Sequence, residues 1–586
     1  MLMKSVAGLF KYFQPYRFIV LLGPLFMCLE VGMDLIQPMI MQKIIDNGIA
    51  SEDNSYVLTM GLFMFGAALL GLIGGIGSSI FSTRAAVHFA TDLRKDVFRK
   101  IDYFSGPNMD KFGAGKLITI MTNDITALQQ AAMMTLRIFV RGPIMFIGSI
   151  VIVYLTAREL FPILLVIVPI LVVLIILFTL KAGSLFGLVQ KAIDRVNTKT
   201  QEHLAGVRVV KAYGTEEYEM KEFSKVNENL TKVNIRADLT IMGLMPILQF
   251  IVNMGIVFAV WMGAIKLDGG SMEVGVIIAF VNYLTIILNS LMTSSSVLMQ
   301  ITRAFPSAGR IKDVLDTKED MAEAEMPVSI SRHKGEIEFK NVSFSYSRNG
   351  EHVLSNVSVH VKAGETLGII GATGSGKSTF AKLIPRLYDV QEGQILLNGI
   401  DIRDLSFEEL RDSIGFITQK NMLFSGAIQN NIKMGKSDTS EEEMISALED
   451  AQALPFVRNL DGMLDYELTQ GATNLSGGQR QRLSIARALV RKPAILVIDD
   501  ATSAVDAISE ANIQAALKKH YAESTKIIIS SKISSVKEAN QILVLDDGKE
   551  AGLGTHKELL ASNELYQEIC RIQGIKEGET YESARK

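Results

Sequence analysis

The first half of the chain alternates between long apolar stretches and polar stretches that keep a helical period. Each apolar stretch has at least the ~20 residues that a helix needs to cross a bilayer. The sequence therefore predicts six transmembrane helices, some of them long enough to extend into water. They occupy residues 18–45, 55–84, 131–157, 160–182, 240–266 and 273–302.

Two polar connections between these spans are also predicted to be helices. Residues 85–130 join the second span to the third, and residues 183–238 join the fourth to the fifth. Both connections are too regular for loops, so we expect the helices to continue well past the bilayer.

The distribution of charge orients the predicted spans. Basic residues precede the first span and crowd the second-to-third connection, namely Lys4, Lys11, Arg17, Arg94, Lys95, Arg99, Lys100, Lys111 and Lys116. The first-to-second connection is acidic, with Asp46, Glu52 and Asp53. The positive-inside rule then places both termini and both long connections in the cytoplasm.

Four ionisable residues interrupt the spans. Glu30 and Asp34 lie four residues apart and so share one face of the first helix. Because charges at membrane depth are costly, two interpretations stay open. The carboxylates line a cavity for cationic substrates, or they lie in a structural pairing between helices or near the outer interface. Arg137 and Arg141 share a face of the third span, and we expect both near its cytoplasmic end, where long side chains reach water.

The composition changes to polar and acidic over residues 317–334, which include Pro327. This stretch is interpreted as a linker between a transmembrane domain, residues 1–316, and a soluble domain, residues 335–574. Residues 575–586 form a polar C-terminal tail.

A phosphate-binding motif lies early in the soluble domain. Residues 371–378 read Gly-Ala-Thr-Gly-Ser-Gly-Lys-Ser, between a predicted buried strand and a predicted helix. Glycines let backbone N–H groups surround phosphate oxygens, while Lys377 reaches the β- and γ-phosphates and Ser378 holds Mg²⁺. The alternative is a glycine-rich turn without a ligand. The predicted binding residues are Gly371, Ala372, Thr373, Gly374, Ser375, Gly376, Lys377, Ser378 and Thr379.

Overall composition narrows the class of protein. The chain has 586 residues, 48% of them hydrophobic, and a mean hydropathy of +0.26, which is unusual for a soluble enzyme with such a motif. The net charge of −3 gives no argument for nucleic-acid binding. Cys28 and Cys570 are too far apart in sequence to suggest a disulfide framework or a metal site.

Further motifs follow along the soluble domain. Residues 336–346 alternate like an exposed antiparallel strand and end in Tyr346, which is placed to stack on an adenine or is simply a half-buried aromatic. Residues 415–419 read as a strand that ends in Gln419. The apolar run 494–498 precedes Asp499 and Asp500, at the position where P-loop enzymes hold Mg²⁺.

In this order and spacing the motifs resemble those of ATP-binding cassette transporters, over essentially the whole chain. Six spans with long cytoplasmic helices ahead of the cassette look like a type IV exporter half-transporter. The implied fold is an all-α six-helix transmembrane domain fused to an α/β P-loop nucleotide-binding domain. Residues 112–117 with 122–124, and residues 206–213, are similar to the two cytoplasmic loops that dock on the cassettes in this family.

The resemblance implies a role for each motif residue. Residues 371–378 match the Walker A loop, Tyr346 the adenine-stacking residue, Gln419 the glutamine that senses the γ-phosphate, and Asp499 the Walker B aspartate. The metal ligands would be Ser378, Gln419 and Asp499, and the cofactors ATP and Mg²⁺. Asp506 matches the loop at the dimer interface. The family's signature, which faces the partner's ATP, matches Leu475, Ser476, Gly477, Gly478 and Gln479.

Two positions depart from the family pattern. Asp500 stands where a catalytic glutamate is expected, and Ser531 where a switch histidine is expected. Aspartate is one methylene shorter, and serine carries no charge. The alternative for Asp500 is slow catalysis through a second water. The chain thus resembles the degenerate-site subunit of heterodimeric bacterial multidrug exporters.

The resemblance implies an ATP-hydrolysing exporter subunit that works by alternating access, with its own site slow. Its partners would be a second half-transporter with an intact glutamate and switch histidine, membrane lipid, and a hydrophobic or cationic small molecule, without nucleic acid. It would be a multi-pass protein of the bacterial cell membrane. The alternatives are a dedicated exporter of a peptide, lipid or tetrapyrrole, or an ATP-gated channel or sensor.

Overall fold

A computed structural model describes residues 8–318, 320–330, 334–347, 350–500 and 505–574. The predicted C-terminal tail, four linker positions and residues 501–504 lie outside the described residues. The chain divides into two compact units. One consists of Met1–Asp102 and Gly113–Thr317, the other of Tyr103–Phe112 and Lys318–Lys586.

The described residues of the first unit form long helices with short turns. A 3₁₀ helix, Phe10–Tyr16, comes first, and two π-helical turns, Ile44–Ile49 and Ile120–Asp124, interrupt the α-helices. The α-helices are α1 Arg17–Lys43, α2 Asn54–Asp102, α4 Ala114–Thr119, α5 Ile125–Thr156, α6 Phe161–Tyr213, α7 Glu216–Met242, α8 Leu244–Asp268 and α9 Val274–Leu315, while α3, Gly106–Phe112, belongs to the second unit.

Six helical stretches of the described chain are long and apolar enough to cross a membrane, as the sequence predicts. The polar connections are helical too, because α2 continues to Asp102 and α6 continues to Tyr213. The stretches are Phe10–Ile49, Asn54–Asp102, Ala114–Thr156, Phe161–Tyr213, Glu216–Asp268 and Val274–Leu315.

Small residues let these helices approach closely. A Cβ at Gly74 of α2 would lie 2.7 Å from the backbone nitrogen of Glu30 in α1, and one at Gly142 of α5 would lie 2.0 Å from Ser294 Oγ in α9. Because lipid tails are as apolar as the helices, association in a bilayer depends on close packing and on interhelical polar contacts. The glycines therefore allow α1–α2 and α5–α9 to pack.

Arg141 joins α5 to α1 through both intramembrane carboxylates. Its guanidinium lies 2.5 Å from Glu30 Oε1 and 2.9 Å from Asp34 Oδ2. Arg141 thus takes part in a pairing between helices, one of the two interpretations left open for Glu30 and Asp34, while its position near the cytoplasmic end stays a prediction. The two carboxylates face α5, and an ion pair there lowers the cost of holding charges away from water.

A second charged contact joins the π-helical turn to α9. Asp124 is buried, and it accepts hydrogen bonds from Arg310 Nε at 2.8 Å, from Arg310 Nη2 at 2.5 Å and from Ser307 Oγ at 2.8 Å. The buried carboxylate is thus well supplied with donors.

Asp124→Ala should lower the free energy of unfolding by about 1–3 kcal/mol, since it leaves Ser307 and Arg310 without their acceptor. The measurement is the thermal unfolding midpoint of the purified protein in detergent. Asp313→Ala, at an exposed position on the same helix, is the control. Equal shifts for the two variants would show that the contact does not hold α9 in place.

The second unit contains three sheets. A four-stranded antiparallel sheet has the order β2-β1-β4-β5, and a two-stranded one pairs β7 with β8. The six-stranded sheet has the order β12-β11-β3-β10-β9-β6, with β12 antiparallel and the rest parallel. The strands are β1 Ile337–Phe344, β2 Leu354–Val361, β3 Thr366–Gly371, β4 Glu392–Leu397, β5 Ile400–Asp401, β6 Ile414–Ile417, β7 Gly426–Ala427, β8 Glu467–Leu468, β9 Ile495–Asp499, β10 Thr525–Ile529, β11 Gln541–Asp546 and β12 Lys549–Gly554.

β1 is antiparallel, as its alternation predicts, but it lies between β2 and β4 and is largely buried rather than exposed.

Helices accompany the sheets of this unit. Short 3₁₀ turns occur at Met463–Asp465 and Gln470–Ala472. The α-helices are α10 Lys377–Leu383, α11 Phe407–Asp412, α12 Ile428–Lys433, α13 Glu441–Asp450, α14 Leu454–Val457, α15 Gly477–Leu489, α16 Ala507–His520, α17 Ile533–Val536, α18 His556–Ser562 and α19 Glu564–Ile572.

Candidate nucleotide site and membrane cavity

The parallel sheet brings the predicted catalytic residues to one edge. Asp499 at the end of β9 pairs in register with Ile529 at the end of β10, and Ile529 pairs with Ile369 near the end of β3. On the other side of β9, Ile417 of β6 pairs with Ile498. In open α/β sheets, ligands bind beyond the carboxyl ends of the strands. The glycine loop, Gln419, Asp499, Asp500 and Ser531 all follow such ends.

Close backbone approach requires two of the glycines in the loop. A Cβ at Gly371 would lie 2.2 Å from the carbonyl oxygen of Leu545, and one at Gly376, where φ is +94°, would lie 2.8 Å from the carbonyl oxygen of Val353. The Lys377 ammonium donates to the carbonyls of Gly371 and Ala372, at 2.8 and 2.7 Å. The loop therefore curls around its own lysine.

The residues at the loop fit a nucleotide with Mg²⁺. Ser378 Oγ donates to Asp499 Oδ1 at 3.0 Å, which places a hydroxyl and a carboxylate together as oxygen ligands. Burial raises the pKa of Asp499 and the charge of Asp500 adds to this, while the hydrogen bond from Ser378 opposes it. Burial lowers the pKa of Lys377. A bound cation would stabilise the ionised form of this buried carboxylate.

Tyr346 lies beside the loop. Its hydroxyl is 3.0 Å from Thr379 Oγ1, and its ring is perpendicular to those of Phe344 and Tyr388, with centroids 5.0 and 5.2 Å away. The side chain is held by these contacts yet remains 45% exposed. A ring in this position is available to stack on a base.

Backbone contacts position Asp500. Its φ is +47°, and its N–H donates to the carbonyl of Ile529 at 2.9 Å. Aspartate tolerates the left-handed region because its short polar side chain can hydrogen-bond locally. The backbone that carries the Asp500 carboxylate is therefore held against the neighbouring strand, β10.

Gln573 holds the loop at Ser531, and sequence analysis did not detect this residue. Its side-chain amide donates to the carbonyl of Ser531 at 2.8 Å and accepts from the N–H of Ile533 at 2.9 Å. Ser531 itself is exposed. Nothing in the sequence marks a glutamine 42 residues further along as a partner of this loop, because only tertiary packing joins them.

The signature residues form an exposed helix start. Ser476 caps α15, and its Oγ accepts from the N–H of Gln479 at 3.3 Å, while Gln479 Oε1 accepts from the N–H of Ser476 at 2.8 Å. Leu475 is buried, whereas Ser476 and Gly477 are exposed and nothing lies within 4 Å of a Cβ built at Gly477. The Ser476 hydroxyl proton is thus left to donate outward, beside the first N–H groups of the helix.

The side chains of the two remaining predicted residues are exposed. Gln419 follows β6 by two residues. Asp506 caps α16 by accepting from the N–H of Ser509 at 2.9 Å.

Helix α3 packs on the nucleotide-binding unit. Tyr388 Oη donates to Asp110 Oδ2 at 2.7 Å, and Asn108 Nδ2 donates to the carbonyl of Lys318 at 3.2 Å. A Cβ at Gly106 would lie 2.6 Å from the carbonyl oxygen of Leu387. Because the ring of Tyr388 also meets that of Tyr346, α3 is two side chains away from the predicted adenine position.

A cavity of about 820 Å³ lies within the first unit. Its charged lining residues are Asp34, Arg137 and Arg141, and Glu30 is not among the lining residues. The other lining residues include amides and methionines, namely Gln37, Asn282, Asn289, Met27, Met41, Met64 and Met145. The structure thus places Asp34 in a cavity and in a helix pairing at once.

Comparisons with known proteins agree with this fold and these motifs. The ABC transporter transmembrane region model matches residues 20–291, and the ABC transporter model matches residues 354–503. An uncharacterized ABC transporter ATP-binding protein, YfiB of Bacillus subtilis (strain 168), is 39% identical over 97% of this chain and 98% of its own. The ATP-dependent lipid A-core flippase of Pseudoalteromonas translucida (strain TAC 125) is 30% identical, with the same coverage.

A solved structure of a bacterial Atm1-family ABC exporter with ATP bound has a TM-score of 0.77 and 25% identity, and covers 99% of this chain and 100% of its own. The chain belongs to the ABC transporter family. Within it, the chain is an exporter half-transporter, a multi-pass membrane protein that binds and hydrolyses ATP.

Gln573→Leu removes both hydrogen bonds to the Ser531 loop at similar side-chain size. The amide of Ile533 should then exchange with deuterium about 5- to 10-fold faster, as expected for one hydrogen bond of ~1 kcal/mol. Gln567→Leu is the matched control, since Gln567 donates to the carbonyl of Leu560 instead. Unchanged exchange at Ile533 would mean that Gln573 does not hold this loop.

Proposed function

We propose that this chain is one subunit of a heterodimeric exporter of amphiphilic compounds. It would supply a slow ATP site and the signature of its partner's fast site. The observation behind this proposal is the contrast between a complete glycine loop and signature on one side, and Asp500 and Ser531 at the catalytic edge on the other.

The side chains of Asp500 and Ser531 are short, and local geometry argues against a backbone movement that would bring them closer to a nucleotide. The backbone N–H of Asp500 donates a hydrogen bond to Ile529, so a movement of this backbone toward a nucleotide would break that bond. A catalytic group misplaced by ~1 Å can lose ~100-fold in rate. Ser531 is likewise restrained through Gln573. A γ-phosphate bound there would be polarised, but no side chain would be well placed to direct a water molecule to attack it.

The two departures at Asp500 and Ser531 would not weaken the binding of the nucleotide. Lys377 would exchange its loop carbonyls for phosphate oxygens, Tyr346 would stack on the base, and Ser378, Asp499 and Gln419 would be within the reach of a metal. Mg²⁺, when bound, would neutralise phosphate charge. The site would therefore retain ATP and turn it over slowly.

The signature is suited to act on another molecule's nucleotide. Ser476, Gly477 and Gly478 open α15 at an accessible position, and the Ser476 hydroxyl keeps its proton for donation. These donors would stabilise the γ-phosphate bound to the partner's glycine loop.

Helix α3 would transmit the nucleotide state to the spans. ATP binding at Tyr346 would be sensed by Tyr388 and passed to Asp110, and the chain on both sides of α3 belongs to the membrane unit. Closure of two cassettes would then shift the population from inward-open to outward-open states. Both termini would be cytoplasmic, in the cell membrane of a bacterium.

A dedicated lipid exporter is the second candidate. The cavity combines charged groups with methionines, which suits a head group and a flexible tail. One relative that is 30% identical is an ATP-dependent lipid A-core flippase. Transport of a labelled lipid, but of no drug-like amphiphile, would favour this candidate.

The chain purified alone in nanodiscs should hydrolyse ATP far below the ~1–10 s⁻¹ of an ordinary enzyme, because both sites of a homodimer would contain Asp500 and Ser531. Turnover is measured on preparations whose dimeric state has been verified. Robust activity from such a homodimer would refute the division of labour.

In the co-purified pair, Ser476→Arg should reduce turnover by ~10²–10³, the usual effect of losing transition-state donors. Asp500→Asn should change it only modestly, because its site retains ATP without resetting the cycle. Nucleotide trapping identifies the site that keeps ATP. If Asp500→Asn were equally damaging, this chain's own site would be catalytic.

A further inference from the structure

We infer that the membrane cavity selects amphiphiles with an anionic head group, and that Arg137 recognises this group. The inference rests on the proposed export function and specifies its substrate class. It replaces the cationic substrate that Glu30 and Asp34 suggest from the sequence.

The first step concerns the carboxylates. Arg141 uses one nitrogen for Glu30, at 2.5 Å, and the other for Asp34, at 2.9 Å. Glu30 Oε2, the oxygen without a hydrogen-bond partner among the described residues, is buried, and Glu30 does not line the cavity. A cation entering the cavity would therefore meet a single carboxylate, Asp34, which is already held in an ion pair with Arg141.

The second step concerns the charge that remains. Arg141 is shared by Glu30 and Asp34, so it adds no free positive charge to the cavity, and Arg137 is the other cationic residue of the lining. In the described part of the chain, Arg137 makes no ion pair. Its side chain lies one helical turn from Arg141, about 6 Å along the axis, and is half-buried. A half-buried charge is costly unless water or a counter-ion accompanies it. An anion in the cavity would supply that counter-ion.

The third step concerns the shape of the ligand. A guanidinium forms two parallel hydrogen bonds to phosphate, sulfonate or carboxylate oxygens, which gives it a preference for these groups over a point charge. Asn289 adds an amide donor on the α9 side of the cavity. Four methionines, Met27, Met41, Met64 and Met145, provide a soft apolar surface that adapts to different tails.

The pairing also predicts an unusual direction of effect. Glu30→Gln combined with Asp34→Asn would release Arg141 from both carboxylates and leave two cationic side chains one turn apart. The combined variant should then bind an anionic amphiphile more tightly. A cation-selective cavity would instead lose its substrate.

The test uses three fluorescent probes that share one dodecyl tail and end in a carboxylate, its methyl ester or a trimethylammonium group. Stimulation of ATPase activity and ATP-dependent uptake are measured for the co-purified pair in nanodiscs and in inside-out vesicles. The wild type should prefer the carboxylate. Arg137→Gln should raise the concentration of the carboxylate probe that gives half-maximal ATPase stimulation about 10-fold, equivalent to ~1.4 kcal/mol. The corresponding concentration of the methyl ester should not change.

Two further variants guard against misfolding and general charge effects. Arg137→Lys keeps the charge and should retain part of the preference for the carboxylate. Arg84→Gln removes one positive charge from an exposed position outside the cavity and should behave like the wild type.

The possible failures are distinguishable. If the ammonium probe is preferred, or if Arg137→Gln treats all three probes as the wild type does, the anionic head group is refuted while export stands. If a pair with normal basal ATPase activity and nucleotide trapping moves none of the probes, amphiphile export itself is refuted.

Discussion

The register of the parallel strands β9, β10 and β3 is the constraint on which the nucleotide site depends. Asp499 is paired with Ile529, and Ile529 with Ile369, so β9 and β10 end at the same level and β3 ends two residues further on, at Gly371. A slip of one residue would turn each following side chain to the opposite face. Residues more than 100 positions apart in sequence, such as Ser378 and Asp499, hydrogen-bond only because this register holds.

At the same edge, the groups proposed to bind ATP differ from those proposed to cleave it. Binding uses loop backbone and a lysine, which depend on glycines at places without room for a Cβ. Cleavage needs side chains that reach a water molecule, and here they are short and anchored through Asp500 N–H and Gln573. In the proposed heterodimer such a site would hold ATP, while the exposed signature would act on the ATP of the partner.

In the membrane unit, the role of a charged side chain depends on the side chain with which it is paired. Glu30 and Asp34 look like an acidic surface when the first helix is considered alone. Arg141 of another helix engages both, and this converts them from ligands for a cation into supports for a guanidinium. Arg137, whose sequence context suggested only an interfacial position, lines the same cavity.

The sequence by itself determined the class of protein, because long apolar runs, a glycine loop and strand-end acids are local patterns with direct physical meaning. It identified the six spans, the α/β domain and the motif residues that the structure places at the ends of the parallel strands. Contacts between distant segments could not be read in this way. The pairing of Arg141, the Gln573 bridge to Ser531 and the packing of α3 through Asp110 were decided by tertiary structure, since each joins helices or loops whose proximity no local pattern encodes.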